Sequence, residues 1–556
     1  MAELGNHGHN RLRMASIIEK IRSRRGSADT IASVLLVAAV WLLYRKVLGL
    51  WWTYDDSNIL RTIFDYRFID IFTNSRVWPQ QLFTPLLHAT FAGEWKLFAF
   101  VPARWYAMQL GIAAATTLCV YAAVRHFLDV PRAFVAAFLF TAGAPLCSVV
   151  IQLSTLHYYL AISFCALAVV SYAIAVRRSS VVFAALSVLC YFLAMMAKEV
   201  AIPLPLLLLA LPLRDLRTRV RFVIAHGVAA IAYFIWRYAV LGTFLGAYGW
   251  KIDAAEWPRL IARLPWRITQ GAAGAGVAIG LALVALMTIT IALGIRNRRS
   301  LLRFVAAIIV VGGPMLPLAK EVNRRYVAVP WLAWSIAFAA ATTRRSPRTA
   351  AALLIAAPLL AIGANRQEWR HEFPLRYRQS EEARFYFYDL PADGLLRRPL
   401  TPPASMGEVQ WLKTIHFGRP AGAWFYDDIF LCSGGANGKR VFEYDGRGIV
   451  EITPRIAVIA KQHCSSIRER APLTVDFRFR NPALYWSLGP YADGKYSAVI
   501  GNGVQGFEIP RHDALQLPGM TGIALRIRYD SPAGWTTYSP ELTLDFVHHP
   551  DLSWRR

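Results

Sequence analysis

The chain has 556 residues, 56% of them hydrophobic and 17% charged, against roughly 45–50% and about 25% in ordinary soluble domains. That balance excludes a cytosolic soluble enzyme, a disordered regulator and a small disulfide-stapled secreted domain. The net charge of +26 could suit nucleic acid, but residues 1–364 hold 37 Lys/Arg against 14 Asp/Glu while residues 365–556 hold 24 against 21. Positive charge therefore sits in the hydrophobic part, as membrane topology and anionic lipid require, and membrane lipids rather than nucleic acid are the expected partner.

In chain order, a basic N-terminus (1–29) precedes an apolar run from Ile31 to Leu50. This run is too long for a signal-peptide core and has no small-residue cleavage site, so it reads as an uncleaved first membrane helix. Further runs long enough to span a bilayer follow at about 105–124, 131–150, 156–176, 180–197, 199–213, 220–241, 271–295, 302–319, 326–343 and 349–364. The expected fold is a polytopic α-helical membrane domain over 30–364 with about eleven spans. The pair 180–213 is broken at Lys198-Glu199, just before Ile202-Pro203, where helix is disfavoured.

Basic residues in short loops (Arg125/Arg132, Arg177/Arg178, Arg214 to Arg221, Arg296 to Arg303, Arg344 to Arg348) place the N-terminus in the cytoplasm. Asp55, Asp56, Asp65, Asp70, Glu94, Glu199, Asp253, Glu256 and Glu321 then fall outside. An odd span count puts residues 365–556 outside too, and the expected location is a bacterial inner membrane with a periplasmic C-terminal domain. The long first outer loop, 51–104, carries an aromatic amphipathic stretch, Trp78 to Phe100, suited to the interface. Residues 365–419 read as a connecting segment. From 420 to 556, short alternating segments such as "KRVFEYDG", "LTVDFRFR" and "IALRIRYD", punctuated by Gly, Pro and Asp, predict an extracytoplasmic β-rich, β-sandwich-like domain.

Three constellations carry chemistry. Asp55 and Asp56 follow the first helix in "WWTYDDSNIL", where a carboxylate under aromatic cover can act as a general base or simply form a solvated turn. Lys198 and Glu199 interrupt apolar sequence, and ionisable residues at membrane depth mark functional sites by default. Lys320, Arg324, Arg325 and Tyr326 form a basic cluster at an outer boundary, against the positive-inside tendency. A lipid phosphate gripped by Arg would compensate for it, and so would acidic headgroups. Arg45, Lys46, His88, Glu94, His157 and Glu199 are further candidates for a substrate cavity; Arg45 and Lys46 either snorkel or join it, and His88, Glu94 and His157 are more readily structural than metal ligands.

The order of these features resembles the type C glycosyltransferase superfamily. The long first outer loop opens on an acidic pair. It runs on through "FTPLLHATFAGEWKLFAFVPARWYAMQLGIAAATTLCVYAAVRHFL" to Lys-Glu before a leucine-rich span, and later to "RRYVAVPWLAWSIA". More narrowly, about residues 30–345 resemble the protein O-mannosyltransferase group and the bacterial lipid A aminoarabinose transferases, which show an "SKE" before an apolar run and "RYL..P" at a late helix. The chain departs from that group in lacking a tetratricopeptide tail and in having His157 near a usual Gly-Arg.

The resemblance implies a polyprenyl-phosphate-sugar donor, inverting transfer on the outer face, Asp55 or Asp56 as base, and Lys198 with Arg324/Arg325 on the donor phosphate. The expected partners are that donor and a glycan, lipid or protein acceptor. No metal-ligand constellation stands out beyond the carboxylates, so no metal or cofactor is expected, although a divalent ion is compatible with them. The alternatives are a transporter or flippase for lipid-linked glycans, and a non-catalytic anchor for a glycan-binding outer domain. Polar residues at outer helix ends, rather than at mid-span, favour the enzyme.

Cys432 and Cys464 are the cysteines outside the spans and are predicted to bond to each other in an oxidising compartment. The rings of Trp411, Trp424, Tyr426, Tyr485, Trp486 and Trp535 are expected as outer-domain core in preference to sugar-stacking surface.

Overall fold

A computed structural model describes residues 26–52, 55–78, 82–244, 257–295, 307, 310–318, 323–418, 422–480, 483–516, 522–545 and 551–555. The chain forms two compact units, 1–50 with 62–375 and 51–61 with 376–556. The first is a polytopic helical unit and the second a β-rich unit, labelled the outer unit after the topology that the sequence predicts.

Among the described residues, six helices are long and apolar enough to cross a membrane: Gly26–Gly49 (α1), Pro102–Arg125, Leu153–Arg178, Leu216–Leu241, Val277–Gly294 and Pro347–Tyr388. The expected span 131–150 is a bent pair, Val130–Ala142 and Ala144–Val150, at 57°. Gly143 and Pro145 lie at the break, where sharp bends are expected. The Trp331 indole fills the space beside Gly143, where a Cβ would clash with its Nε1, and this Nε1 donates to the Leu139 carbonyl at 2.7 Å.

The expected spans at 180–197 and 199–213 are the shorter apolar helices Val181–Ala197 and Glu199–Ala210. The span at 326–343 is a 3₁₀ turn, Arg324–Val327, followed by Ala328–Thr342. Of the expected span at 302–319, residues 302–306, 308, 309 and 319 lie outside the described residues and Gly313–Leu318 form a 3₁₀ turn; the N-terminal basic stretch to Arg25, Asp253, Glu256, Lys320, Glu321 and the arginines 296–303 also lie outside them.

The segment expected as the first outer loop contains three helices among its described residues: Asp55–Asp65 (α2), Asp70–Thr73 (α3) and Pro85–Phe98 (α4). Proline starts α4, where its missing N–H costs no helix hydrogen bond. Ile71, Trp78 and Phe83 share a core with Tyr172, Tyr191, Met195, Leu208 and Tyr233. One polar tie runs through the unit: Tyr44 donates to the Thr141 carbonyl at 2.7 Å and accepts from Asn365 Nδ2 at 2.8 Å.

The chain divides elsewhere than at 364/365 and 419/420. Helix Pro347–Tyr388 runs unbroken through the first boundary, and its end belongs to the outer unit. The expected connecting segment then contains β1 (Gly394–Arg397) and helix Pro403–Phe417. β1 pairs in parallel with both β2 (Ala423–Phe425) and β3 (Arg440–Tyr444). Parallel neighbours need long crossovers, and the helix 403–417 supplies one. β3 turns back antiparallel into β4 (Ile449–Glu451). Residues 394–466 thus form a small α/β layer rather than the first part of a sandwich.

The sandwich itself occupies 474–555. One sheet has the order β11-β10-β7-β8 with β12 also on β10, and the other β13-β5-β6-β9. Here β5 is Thr474–Arg480, β6 Ala483–Gly489, β7 Lys495–Ile500, β8 Gln505–Ile509, β9 His512–Gln516, β10 Ile523–Asp530, β11 Thr536–Tyr538, β12 Leu542–Leu544 and β13 Asp551–Arg555. Alternate residues of β10, Leu525, Ile527 and Tyr529, pack with Val475, Phe477, Leu484 and Leu488 of the facing sheet. Of the six aromatic residues singled out, Tyr485 is exposed, at 46%; the rest are buried or half-buried.

Cys432 and Cys464 are bonded, as predicted, with Cα atoms 5.8 Å apart. Beside them lies a buried ionic joint. Asp428 accepts from Arg397 at 2.6 and 2.8 Å and from Arg398 at 2.7 Å. Asp427 accepts from Arg528 at 2.9 Å and from Tyr538 at 2.8 Å, and the Tyr538 hydroxyl is 2.9 Å from His463 Nε2. Residues of the α/β layer and of the sandwich are therefore tied by charge as well as by chain.

Candidate functional site

A polar cluster forms within the helical unit where helix Val181–Ala197 ends. Lys198 leaves the helix in an extended conformation, and Glu199 begins a 3₁₀ turn, Glu199–Ala201, before Pro203. The Lys198 side chain is only 8% exposed. Among the described residues its ammonium makes no hydrogen bond; it faces Glu199 Oε2 at 4.0 Å and the Tyr158 ring at 5.8 Å. An ammonium with three donors, so buried, calls for an acceptor.

Glu199 is held from its other side by Arg237, whose Nη1 donates to Oε1 at 2.5 Å. Arg237 is 1% exposed. Sequence reasoning missed it, although the signal was present: a lone Arg in the apolar stretch "AAIAYFIWRYAVL" has to find a partner.

The start of helix Leu156–Arg178 adds His157, whose Nδ1 is 2.7 Å from the Ser154 carbonyl, and Tyr158. Their rings are 4.6 Å apart, and the Tyr158 ring is 6.5 Å from that of Tyr326. Arg325 lies 5.5 Å over Tyr326 and donates to Gln152 Oε1 at 3.3 Å. Lys198 interacts electrostatically with Glu199, Tyr326, Arg325 and Arg237, and His157 with Lys198 and Arg325. Lys198, Glu199, His157, Arg325 and Tyr326 are thus brought together.

Other candidates are not in this cluster. Arg324 is turned to helix Pro347–Tyr388: its Nη1 donates to Glu368, which is fully buried, and to Glu372 at 2.9 Å. Arg45 and Lys46 are exposed on the closing 3₁₀ turn of α1. His88 is buried against Trp78, ring to ring at 4.4 Å, and burial pushes its imidazole down to about 4, keeping it neutral. Glu94, also on α4, is 3% exposed with no hydrogen bond on Oε1 among the described residues, and burial raises its carboxyl to about 8.

Asp55 and Asp56 belong to the outer unit, in the first turn of α2. Asp55 is exposed, whereas Asp56 and Ser57 are fully buried. Among the described residues no group of three or more His, Cys, Asp or Glu is arranged to hold a metal ion.

The cluster around Lys198 can receive an anion with several acceptor oxygens. Lys198 supplies a point charge and Arg325 a planar fork. The Tyr158 and Tyr326 rings beside them are buried, and low-dielectric surroundings strengthen both charges.

No family model matches the chain, and no curated protein matches it. Among solved structures, the chain is similar to the Archaeoglobus fulgidus oligosaccharyltransferase tethered to an acceptor peptide through a disulfide bond, with a TM-score of 0.35 and 12% identity. The alignment covers 66% of this chain and 61% of the other. At that score the alignment does not establish a shared fold.

Proposed function

We propose that the chain is a membrane glycosyltransferase that moves a sugar from a polyprenyl-phosphate donor to an acceptor hydroxyl on the outer face of a bacterial inner membrane. The observation that carries this reading is Lys198, a deeply buried ammonium at the end of an apolar helix that makes no hydrogen bond among the described residues and interacts electrostatically with Arg325. A lipid-borne phosphate is an anion that can reach such a depth. The disulfide of the outer unit agrees with an oxidising compartment. The acceptor is a hydroxyl of a glycan, lipid or protein.

In this reading Lys198 and Arg325 bind the donor phosphate and stabilise the negative charge it gains on leaving. Glu199, fixed by Arg237, holds Lys198 in place. Arg324 serves the fold through Glu368 and is removed from the phosphate-binding set. Asp55 or Asp56 takes the proton of the acceptor hydroxyl. The acceptor oxygen bonds to the anomeric carbon from the face opposite the phosphate as the bond from that carbon to the phosphate oxygen breaks, inverting the centre. No step requires a metal.

The test is binding of a short-chain polyprenyl phosphate to the full chain in lipid nanodiscs. Saturable binding that Lys198→Met weakens at least tenfold supports the reading; binding equal in wild type and Lys198→Met removes it.

A further inference from the structure

Residues 51–61, which carry the acidic pair, are part of the outer unit, not of the helical unit on either side of them in sequence. The contacts are specific. The Trp51 backbone N–H donates to Ser380 Oγ, and the Trp51 ring packs on Phe387 at 5.2 Å. Ten residues on, Arg61 pairs with Glu408 at 3.3 Å and lies 5.6 Å over the Trp411 ring. Segment 51–61 is therefore fastened at both ends, once to the end of helix Pro347–Tyr388 and once to helix Pro403–Phe417. Between the fastenings stand Asp55, Asp56 and Ser57. The Ser57 hydroxyl is fully buried and has no hydrogen-bond partner among the described residues, a costly state unless a polar group arrives.

We propose that the C-terminal outer unit is a working part of the transferase, whose task is to hold the acidic first turn of α2 in position for the acceptor, with Arg61, Glu408 and Trp411 as positioning residues and Ser57 as a second contact for the acceptor hydroxyl. This rests on the assignment of Asp55 or Asp56 as the base. The physical reason is that an acid on an untethered loop would sample many orientations, whereas in-line transfer needs near-attack geometry. Clamping both ends of an eleven-residue segment removes that freedom before substrate arrives. The outer unit thereby acts on turnover while leaving the donor phosphate contacts alone.

The experiment is a charge-swap series on the full-length protein in nanodiscs: Arg61→Glu, Glu408→Arg and the double swap, with Asp55→Asn and Asp56→Asn in parallel. Two readouts are taken. Hydrogen exchange of the amides in 55–61 reads the clamp directly and needs no substrate. Turnover is read as release of polyprenyl phosphate from polyprenyl-phosphate hexose and pentose donors. Each single swap is expected to speed exchange in 55–61 and to lower kcat roughly tenfold or more with donor KM within about twofold, because misplacement costs rate rather than donor binding. The double swap is expected to recover much of both.

Unchanged exchange in the single swaps overturns the proposal, and so does a loss that the double swap does not restore. Turnover that survives Asp55→Asn and Asp56→Asn, singly and together, removes the acid–base reading whatever the swaps do. Turnover lost with the acids but untouched by the swaps removes only the positioning claim.

Discussion

Two adjacent arginines in the sequence have different work in the structure. Arg324 is the partner of Glu368, which is fully buried, so Arg324→Ala would strand a carboxylate and is expected to cost on the order of 3 kcal/mol of stability. Arg325 interacts with Lys198 and lies over the Tyr326 ring, so Arg325→Ala is expected to leave melting unchanged and to weaken donor binding by about 1.5–3 kcal/mol, the scale of a charged hydrogen bond. Arg325→Lys should recover part of it, since the charge returns without the fork. Thermal melts and donor titrations on both variants check the split; a stability loss confined to Arg325→Ala would reverse the roles. Sequence reading could find the pair, because two Arg at an outer boundary stand out. It could not divide them, because the division depends on Glu368, forty-four positions away. Arg237 shows the same limit: its role depends on meeting Glu199 across two helices, which spacing along one chain does not report.

At the level of elements, the outer unit is stapled and charged at one place. The disulfide closes a loop of 32 residues, for which the chain-entropy model gives roughly 3–4 kcal/mol. Cys432→Ala with Cys464→Ala is therefore expected to make residues 423–466 the first part of the full chain to yield to protease on heating. Equal resistance with and without the bond would contradict this.

The ionic joint sets the pH response. Burial and the Arg528 charge hold His463 below its ordinary 6.5. For Asp428, burial alone would raise the carboxyl, but the Arg397 hydrogen bond and the Arg398 and Arg397 charges overcome it and hold it below 3.8. Both folded values are depressed, so each contribution is complete above the unfolded value and is lost as pH falls. Stability of this region should decline below about pH 6.5 through His463, and again below about pH 3.8 through Asp428. His463→Gln should flatten the first decline and Asp428→Asn the second, read by the pH dependence of thermal unfolding; an unaltered slope in His463→Gln would count against the assignment.

The strands of 474–555 and the bonded cysteines were legible because period-two alternation and compartment chemistry are local signals. The α/β layer was not, because β1 is four residues, "GLLR", and earns its place only by pairing with two later strands.

At the scale of the whole molecule, hydrophobic runs told the helical part from the outer part, since 20 apolar residues have few other uses. The boundary was misplaced for a physical reason: helix Pro347–Tyr388 turns from apolar to polar without a break, so composition changes where structure does not. Span counting also had no means of recognising the bend at Gly143 or the short helices around Lys198. Nor could it assign segment 51–61 to the outer unit, because that membership rests on contacts with residues more than 300 positions away.

The central claim, that the chain transfers sugar from a lipid phosphate by a base in α2 and a cationic cluster around Lys198, is tested most directly by turnover. Full-length protein in nanodiscs is offered a panel of polyprenyl-phosphate hexoses and pentoses with hydroxyl acceptors, and released polyprenyl phosphate and glycosylated product are measured together. The account predicts stoichiometric release and transfer with at least one donor, inversion at the anomeric carbon, and a fall of ~10²–10⁴-fold in the Asp55→Asn, Asp56→Asn double variant. Transfer that proceeds unimpaired in that double variant, or donors that bind and cross the bilayer without losing their sugar, would contradict it.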